Sequence, residues 1–150
     1  MEIKLISPDQ RSEAIALVFS VFMEFEAPDY SAEGIQAFER FIHDHEEIEH
    51  LAMYGAYEGD ELCGVIATRK NGNHISLFFI PRQHQGKGIG RALFTRVIKE
   101  NHSGTITVNS SPYAVPIYEH LGFIRTDVEQ ITDGIRYTPM IYTVSSDTIL

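Results

Sequence analysis

The sequence predicts an α/β (α+β) fold in which helices flank a mixed, mostly antiparallel central sheet. Two observations lead to this fold class. Apolar residues recur at helical spacing before residue 50 and at the two-residue spacing of strands directly after it. Short turns separate three of the predicted strands, and connections this short join antiparallel strands. Because the 150 residues contain no linker and no internal repeat, we expect residues 1–150 to form a single domain.

The N-terminal segment predicts one strand and then two helices. Residues 2–6 alternate as in a strand, and residues 7–10 combine an N-cap serine, a proline and a capping-box glutamine, which are typical of a helix start. The apolar stripe of this first helix reaches Phe25, and residues 27–30 break it. Ser31 can cap a second helix. The two helices are therefore joined by an acidic loop.

From residue 51 onward the chain predicts an antiparallel meander followed by alternating helices and strands. Turn residues at 58–61 and 71–73 separate the three strands of the meander. Pro116 has no backbone N–H to donate, so the last helix is expected to start near Ala114. A hairpin about Asp133 and Gly134 closes the sheet. The predicted bounds are 51–57, 62–69, 74–80, 105–109, 123–132 and 135–144 for the strands, and 89–100 and 114–121 for the helices.

The charged residues are distributed unevenly along the chain. The net charge of −9 argues against a nucleic-acid-binding protein, since such binding needs a cationic surface. Residues 62–99 nevertheless contain no Asp or Glu and hold seven of the twelve Lys and Arg residues, whereas residues 1–61 hold fifteen of the twenty-one acids. We therefore expect residues 62–99 to meet an anion and the acidic N-terminal part to favour a cationic partner.

Apolar runs and cysteine usage narrow the class of protein further. No apolar run approaches the roughly 20 residues needed to cross a bilayer, and the first residues lack the basic and apolar regions of a signal peptide. We therefore expect a cytoplasmic protein with no membrane partner. The single cysteine, Cys63, cannot form an internal disulfide and is expected to be a buried strand residue.

Three alternating glycines lie between a predicted strand and a predicted helix. Gly86, Gly88 and Gly90 let the backbone approach a ligand closely, and the first N–H groups of the helix have no partners within it. The helix dipole adds partial positive charge, to which Lys87 and Arg91 add full charges. This segment therefore predicts a phosphate-binding site, with simple turn glycines as the alternative.

Other nucleotide-binding motifs match these glycines less well. A Walker loop needs a Lys-Ser or Lys-Thr pair, which the segment lacks. The dinucleotide fingerprint needs Gly-x-Gly-x-x-Gly and an acid about 20 residues later, whereas the spacing here is Gly-x-Gly-x-Gly and residues 106–110 contain no acid. A methyltransferase glycine loop would also need an acid and a repeating βαβ chain, which the predicted meander contradicts.

The sequence resembles the GNAT (GCN5-related N-acetyltransferase) family. Residues 85–90, Gln-Gly-Lys-Gly-Ile-Gly, match the pyrophosphate signature of that family, Gln/Arg-x-x-Gly-x-Gly/Ala, and stand between a strand and a helix as they do in the family. Asn109, Ala114, Tyr118 and the pair Gly122-Phe123 match its second signature in order and spacing. The order of predicted elements also fits over nearly the whole chain.

The resemblance implies acetyl-CoA as co-substrate and a cofactor cleft where the sheet splays open after Ile80. The pantetheine arm would lie in that cleft, where a strand N–H would polarise the thioester carbonyl. The acceptor amine would attack the acetyl carbon directly, so Cys63 need not take part. The cofactor-binding residues implied are Phe79, Ile80, Gln85, Gly86, Lys87, Gly88, Ile89, Gly90, Arg91 and Asn109.

The catalytic groups follow less completely from the resemblance. Tyr118 matches the family position for the acid that protonates the departing thiolate, as a phenol with an ordinary pKa of about 10 can do. Simple packing beside the cofactor is the alternative role. Many relatives carry a Glu on the strand equivalent to 74–80, and this sequence has none there. Glu24, Glu26 and Asp29 are the candidates for binding a cationic amine or relaying its proton, unless they only form a solvated helix end.

The function predicted from these features is transfer of an acetyl group from acetyl-CoA to a primary amine of a small molecule, a peptide or a lysine. A non-catalytic acyl-CoA-binding regulator and a transferase of longer acyl groups are the alternatives. No metal site is expected, because the polar residues at 43–47 diverge around a helix axis. The acceptor, the general base and the choice between monomer and homodimer stay open.

Overall fold

The computed structural model describes residues 1–145, which form a sheet with helices on both of its faces. The predicted fold class is confirmed. The strands are β1 (Glu2–Leu5), β2 (Ala52–Glu58), β3 (Glu61–Arg69), β4 (His74–Phe79), β5 (Thr105–Ser110), β6 (Ile124–Arg125), β7 (Gln130–Thr132) and β8 (Ile135–Thr143). The helices are α1 (Arg11–Phe25), α2 (Ala32–Ile42), α3 (His45–Glu49), α4 (Ile89–Glu100) and α5 (Val115–Leu121).

The sheet opens between its two central strands. Its strand order is β1-β2-β3-β4-β5-β8-β6, and β7 pairs with β8 off this path. Of the strand pairs within residues 1–145, only β4 and β5 run parallel, and they pair at just two positions, His74 with Thr107 and Ile75 with Val108. Beyond these pairs the two strands diverge, which confirms the expected splay in the sheet.

The local signals at the helix starts act as the sequence predicts. The Gln10 side chain accepts a hydrogen bond from the backbone N–H of Ser7 at 3.3 Å, and a short 3-10 turn, Pro8–Gln10, leads into α1. The Ser31 hydroxyl accepts from the N–H of Gly34 at 3.2 Å and so caps α2. These caps fix where α1 and α2 begin, and the start of α2 sets the end of the acidic loop between the two helices.

The structure corrects the sequence-based bounds at two places. Asp44 caps a separate helix, α3, by accepting from the N–H groups of Glu46 and Glu47 at 3.0 and 3.4 Å. The strand predicted at 123–132 is wrong as a single element, because residues 126–129 interrupt it between β6 and β7. There the Asp127 carboxylate accepts from the N–H of Val128 at 2.7 Å, and such local bonds compete with a strand ladder.

Each face of the sheet covers its own apolar core. On one face α1 and α2 pack against the sheet, with Phe22 and Leu77 fully enclosed. On the other face α4 and α5 pack around Leu93 and Phe94. Cys63 is fully buried in this second core, as predicted. Within residues 1–145, no helix combines the length and apolarity needed to span a bilayer.

Candidate active site

Two cavities meet where β4 and β5 diverge. The large cavity has a volume of about 630 Å³ and extends along the glycine segment and α5. The small cavity has a volume of about 200 Å³ and reaches toward the start of β4 and the end of β5. The walls of both cavities include Glu26, Phe78, Phe79, Ala114 and Tyr118. These shared residues form the junction of the two cavities, and a group bound in one cavity can meet a group bound in the other there.

The glycine loop (residues 85–90) forms the outer wall of the large cavity. Gly86 and Gly88 have positive φ values of +77° and +81°, in the left-handed region that favours glycine. A Cβ atom at either position would meet no atom within 4 Å, so the backbone there faces open space. The loop therefore exposes its peptide groups to whatever occupies the cavity.

The start of α4 supplies hydrogen-bond donors to the same wall. Gly88 caps this helix, and the first helical hydrogen bond runs from the N–H of Ala92 to the Gly88 carbonyl at 3.1 Å. The N–H groups of residues 89–91 therefore have no acceptor within the helix, and the helix dipole places partial positive charge there. Arg91 lines the cavity beside them. This arrangement suits a phosphate or pyrophosphate group.

The other residues predicted to bind a cofactor occupy different positions around this loop. Gln85 lines the large cavity, and its side-chain amide donates to the Ile80 carbonyl at 3.0 Å, which ties the loop to the end of β4. Lys87 is exposed and lies outside the cavity wall. Asn109 lines the small cavity instead of the large one. The loop and the end of β4 thus come together, while Asn109 lies on the other side of the junction.

Tyr118 is held at the junction by the turn that ends α5. Gly122 has a φ of +111° at the C-cap, which lets the N–H of Phe123 return to the Tyr118 carbonyl at 3.0 Å. The Tyr118 ring then packs edge-on against Phe123, with ring centroids 5.2 Å apart. Burial, with the nearby charge of Glu26, raises the pKa of Tyr118 far above its ordinary value. The phenol therefore stays protonated at neutral pH and serves as a hydrogen-bond donor.

Glu26 is the acidic residue that reaches the junction. It follows the last residue of α1, and although the residue as a whole is partly exposed, neighbouring atoms crowd its carboxyl group. Burial raises the pKa of this carboxyl to about 7, the nearby charge of Asp29 also raises it, and a hydrogen bond from Ser111 lowers it in part. The carboxyl of Glu26 can therefore take up or release a proton near neutral pH.

The other two predicted acids lie outside both cavity walls. Glu24 forms an ion pair with Arg82, Oε1 to Nε 3.2 Å, and the Arg82 guanidinium lies 4.9 Å from the centre of the Phe25 ring. Asp29 is close enough to act on the charge of Glu26, and its backbone carbonyl accepts from Arg136 at 3.4 Å. The sequence did not separate Glu26 from these neighbours, although the end of the apolar stripe at Phe25 locates the turn.

Two further residues of the small cavity were missed by the sequence reasoning. Tyr30 lines the small cavity, and burial together with the charges of Glu26 and Asp29 raises its pKa. Ser111 is buried, and its hydroxyl also accepts from the N–H of Ala114 at 3.2 Å. Ser110 ends β5 and Ser111 directly follows it, and this pair of serines was the available signal for a site at this edge.

One group of side chains has the composition of a metal site. The Glu61 carboxylate, the Cys63 thiol and the His84 ring offer ligand atoms within 4.8 Å of one another. His84 already contacts Glu61, Nε2 to Oε2 2.8 Å. Burial raises the pKa of the Cys63 thiol, which disfavours the thiolate that a metal requires. The contact between Glu61 and His84 instead joins the start of β3 to the segment before the glycine loop.

Several solved structures share this fold over nearly the full chain. A GCN5-related N-acetyltransferase from Rhodopseudomonas palustris has a TM-score of 0.80 at 17% identity, covering 95% of this chain and 94% of that one. The PaiA N-acetyltransferase of Thermoplasma acidophilum, solved with coenzyme A, has a TM-score of 0.72 at 19% identity, covering 95% and 99%. The spermidine N-acetyltransferase of Vibrio cholerae, solved with CoA and spermine, has a TM-score of 0.62 at 18% identity, covering 95% and 95%.

Sequence comparison identifies the family. Comparison with curated protein sequences gives no match. A family model described as the acetyltransferase (GNAT) domain matches residues 26–144, more than half of the chain. This span contains both signatures on which the resemblance depends and both cavities' central residues. The chain therefore belongs to the GNAT acetyltransferase family.

Proposed function

We propose that this protein is an N-acetyltransferase that transfers the acetyl group of acetyl-CoA to a primary amine. The observation that supports it best is the junction of the two cavities, where the Glu26 carboxyl and the Tyr118 phenol come together. A cofactor in the large cavity and an acceptor in the small cavity would meet there. The coenzyme A in the solved relatives from T. acidophilum and V. cholerae supports the choice of cofactor.

The large cavity suits coenzyme A in its chemistry. The pyrophosphate would be held by the free N–H groups at residues 89–91 and by Arg91. The pantetheine amides can pair with the backbone of Phe79 and Ile80, because β4 has already separated from β5 there. Bound acetyl-CoA supplies the acetyl group as a thioester that an amine can attack. The apolar side chain of Phe78, at the junction, would keep water from the acetyl end.

Glu26 is the residue we propose as general base. An alkyl amine with a pKa near that of a lysine side chain, about 10.4, arrives mostly as the ammonium ion and must lose a proton before it attacks. A carboxyl with a pKa of about 7 is partly ionised at neutral pH and can receive that proton. The first proton that Glu26 takes passes to solvent before the attack. As the new C–N bond forms and the C–S bond breaks, Glu26 takes the second proton, which leaves the nitrogen.

Tyr118 is the proton donor in this proposal. Its phenol remains neutral because burial and the charge of Glu26 both oppose ionisation. A protonated phenol at the junction can donate to the sulfur of the departing thiolate, which stabilises that charge as it develops. After product leaves, the proton held by Glu26 would restore the Tyr118 phenol, since both residues line the junction. This exchange returns both groups to their starting states.

Two measurements on the purified full chain test the proposal together. Isothermal titration with acetyl-CoA is expected to show micromolar binding, and a thiol-release assay is expected to show free CoA only when a suitable amine is present. The amine panel should contain amino acids, polyamines and short peptides. Binding without thiol release for any amine would favour the non-catalytic acyl-CoA-binding role. No binding of acetyl-CoA would overturn the proposal.

A further inference from the structure

The far end of the small cavity, opposite Glu26, is formed by the junction of β3, β4 and β5. Arg69 ends β3 and stands directly opposite His74, the first residue of β4. Cross-strand partners carry their side chains on the same face of a sheet. Both residues, together with Ser76 and Asn109, line the small cavity. A polar wall therefore closes the end of the cavity that lies away from the glycine loop.

This wall contains buried polar atoms without partners. Within residues 1–145, the Nε of Arg69 is enclosed and makes no hydrogen bond, and the guanidinium forms no ion pair. The Ser76 hydroxyl is likewise enclosed and makes no hydrogen bond. A buried donor without an acceptor destabilises a fold. An anionic ligand would satisfy both groups.

A bulge in β4 brings Ser76 to this wall. Ala67 pairs with Leu77 and Thr68 with Ile75, so Ser76 is an extra residue in β4 that no residue of β3 opposes. Bulges redirect side chains, and they are over-represented next to functional sites. The hydroxyl of Ser76 and the guanidinium of Arg69 thereby line one compartment.

The charge of the wall comes from Arg69. The His74 ring contacts the Thr107 hydroxyl, Nδ1 to Oγ1 2.7 Å, and burial together with Arg69 and Lys70 lowers the pKa of His74 to about 4. His74 is therefore neutral at physiological pH. The small cavity thus has a carboxyl group, Glu26, at the junction and a guanidinium at its other end. A ligand that fits this arrangement carries an amine at one end and an anion at the other.

We propose that the acetyl acceptor is a small amino acid-like molecule, whose carboxylate binds Arg69 and Ser76 while its amine faces Glu26. The inference rests on the proposed function and adds the chemical class of the acceptor. An Arg guanidinium binds a carboxylate in bidentate geometry, which fixes the orientation of the ligand. The cavity volume of about 200 Å³ is below the range of about 300–1,000 Å³ for drug-sized ligands and favours a small acceptor.

This assignment revises the expectation of a cationic acceptor that the acidic N-terminal part suggests. A polyamine has a second positive charge, which the uncompensated guanidinium of Arg69 would repel. The acids of the N-terminal part are mostly exposed, and Glu26 is the acid among them that lines the cavity. The local charges of the cavity therefore outweigh the net charge of the chain in selecting the acceptor.

The wild-type protein supplies the first test. Thiol release from acetyl-CoA should be measured with free α- and ω-amino acids, with the carboxamides of the same compounds, with spermidine and with short peptides. We expect the free acids to have a kcat/KM about tenfold or more above that of their carboxamides, since the carboxamide lacks the charge-assisted contact. Equal rates for acids and carboxamides, or a preference for spermidine or peptides, would overturn the inference.

Variants of Arg69 supply the second test. Arg69→Gln should raise KM for the free acids about tenfold or more, with little change in kcat and none in KM for the carboxamides. Lys70→Gln is the matched control, because Lys70 is an exposed neighbour that lines neither cavity. Acetyl-CoA binding by calorimetry and the melting temperature show whether each variant is folded. An equal loss for acids and carboxamides would contradict the inference, whereas absence of thiol release with every amine would contradict the proposed function itself.

Discussion

The two cavities differ in the part of the chain that would contact a ligand. The large cavity combines apolar side chains with the free backbone N–H groups of residues 89–91, and open space lies beside Gly88. The small cavity presents side chains of opposite charge, Glu26 and Arg69. Backbone donors keep their position and charge at any pH, whereas an enclosed carboxyl changes its charge with pH. The proposed cofactor is therefore bound by groups that do not titrate, and the proposed acceptor by groups of which one does.

The largest expected effect is a loss of turnover when the Glu26 carboxyl is removed. Glu26→Gln removes the proposed base, so kcat should fall about a thousandfold, within the range typical of general acid–base groups. In the wild type, kcat/KM should rise with pH until Glu26 is ionised, at a pH of about 7. The variant should lose that rise, and acetyl-CoA affinity should stay unchanged.

A control variant makes this prediction specific. Glu39→Gln makes the same chemical change at an exposed position on α2. A pH–rate profile of the two variants beside the wild type checks the assignment. If Glu26→Gln retained wild-type turnover and the same ascending limb, Glu26 would not be the base.

Glu26→Gln should also increase the free energy of unfolding at pH values above about 7. The folded pKa of Glu26, about 7, lies above its ordinary value of 4.5, so between these values the folded state binds more protons than the unfolded state. The free energy of unfolding therefore falls as pH rises through this range, by about 3 kcal/mol at about 1.4 kcal/mol per unit. Because glutamine does not ionise, Glu26→Gln should not lose this stability as pH rises.

Urea unfolding at about pH 4.5 and about pH 8 measures the effect. Glu26→Gln should gain on the wild type by up to about 3 kcal/mol between the two conditions. Glu39→Gln should show no such pH-dependent gain. A difference of the same size at both pH values would mean that the substitution acts through packing and not through ionisation.

Cofactor binding in the large cavity should respond to steric and electrostatic blockage of the glycine loop. Gly88→Glu places a strained, negatively charged side chain where the proposed pyrophosphate binds, so acetyl-CoA affinity should fall about a hundredfold. Gly104→Glu is the control, because Gly104 also has a positive φ, +90°, and faces open space away from the cavity. Isothermal titration of both variants gives the comparison. Equal loss of affinity in the two variants would show that backbone strain alone is responsible.

The smallest expected effect concerns the proton donor. Tyr118→Phe keeps the ring contacts with Phe78 and Phe123 and removes the hydroxyl, so kcat should fall about tenfold while acetyl-CoA affinity changes little. An acetyl donor whose leaving group needs no protonation should partly restore the kcat of Tyr118→Phe. Wild-type turnover in this variant would leave Tyr118 as a packing residue.

The sequence predicted the glycine loop of the large cavity better than it predicted the small cavity, for physical reasons. Glycines report backbone conformation directly, so residues 86–90 and their place before a helix could be read locally. The small cavity combines distant parts of the chain. Ser76 reaches it through a bulge that alternation does not reveal, and Arg69 lies at the end of a predicted strand, beside the turn at 71–73. Glu24 and Glu26 can be told apart only by the residue at which α1 ends. Helical spacing locates that end only to within one turn.

The divergence of β4 from β5 makes β4 a strand with one open edge inside the sheet. Open edges at the rim of a sheet can pair with other chains and cause aggregation. Here α1 and α5 flank the open edge, and Val21 and Ile117 are among the residues that line the cavity beside it. A thin extended arm can enter and complete the hydrogen bonding of β4. Cofactor binding should then raise the melting temperature and slow amide exchange at Phe79 and Ile80, as if one more strand had been added to the fold.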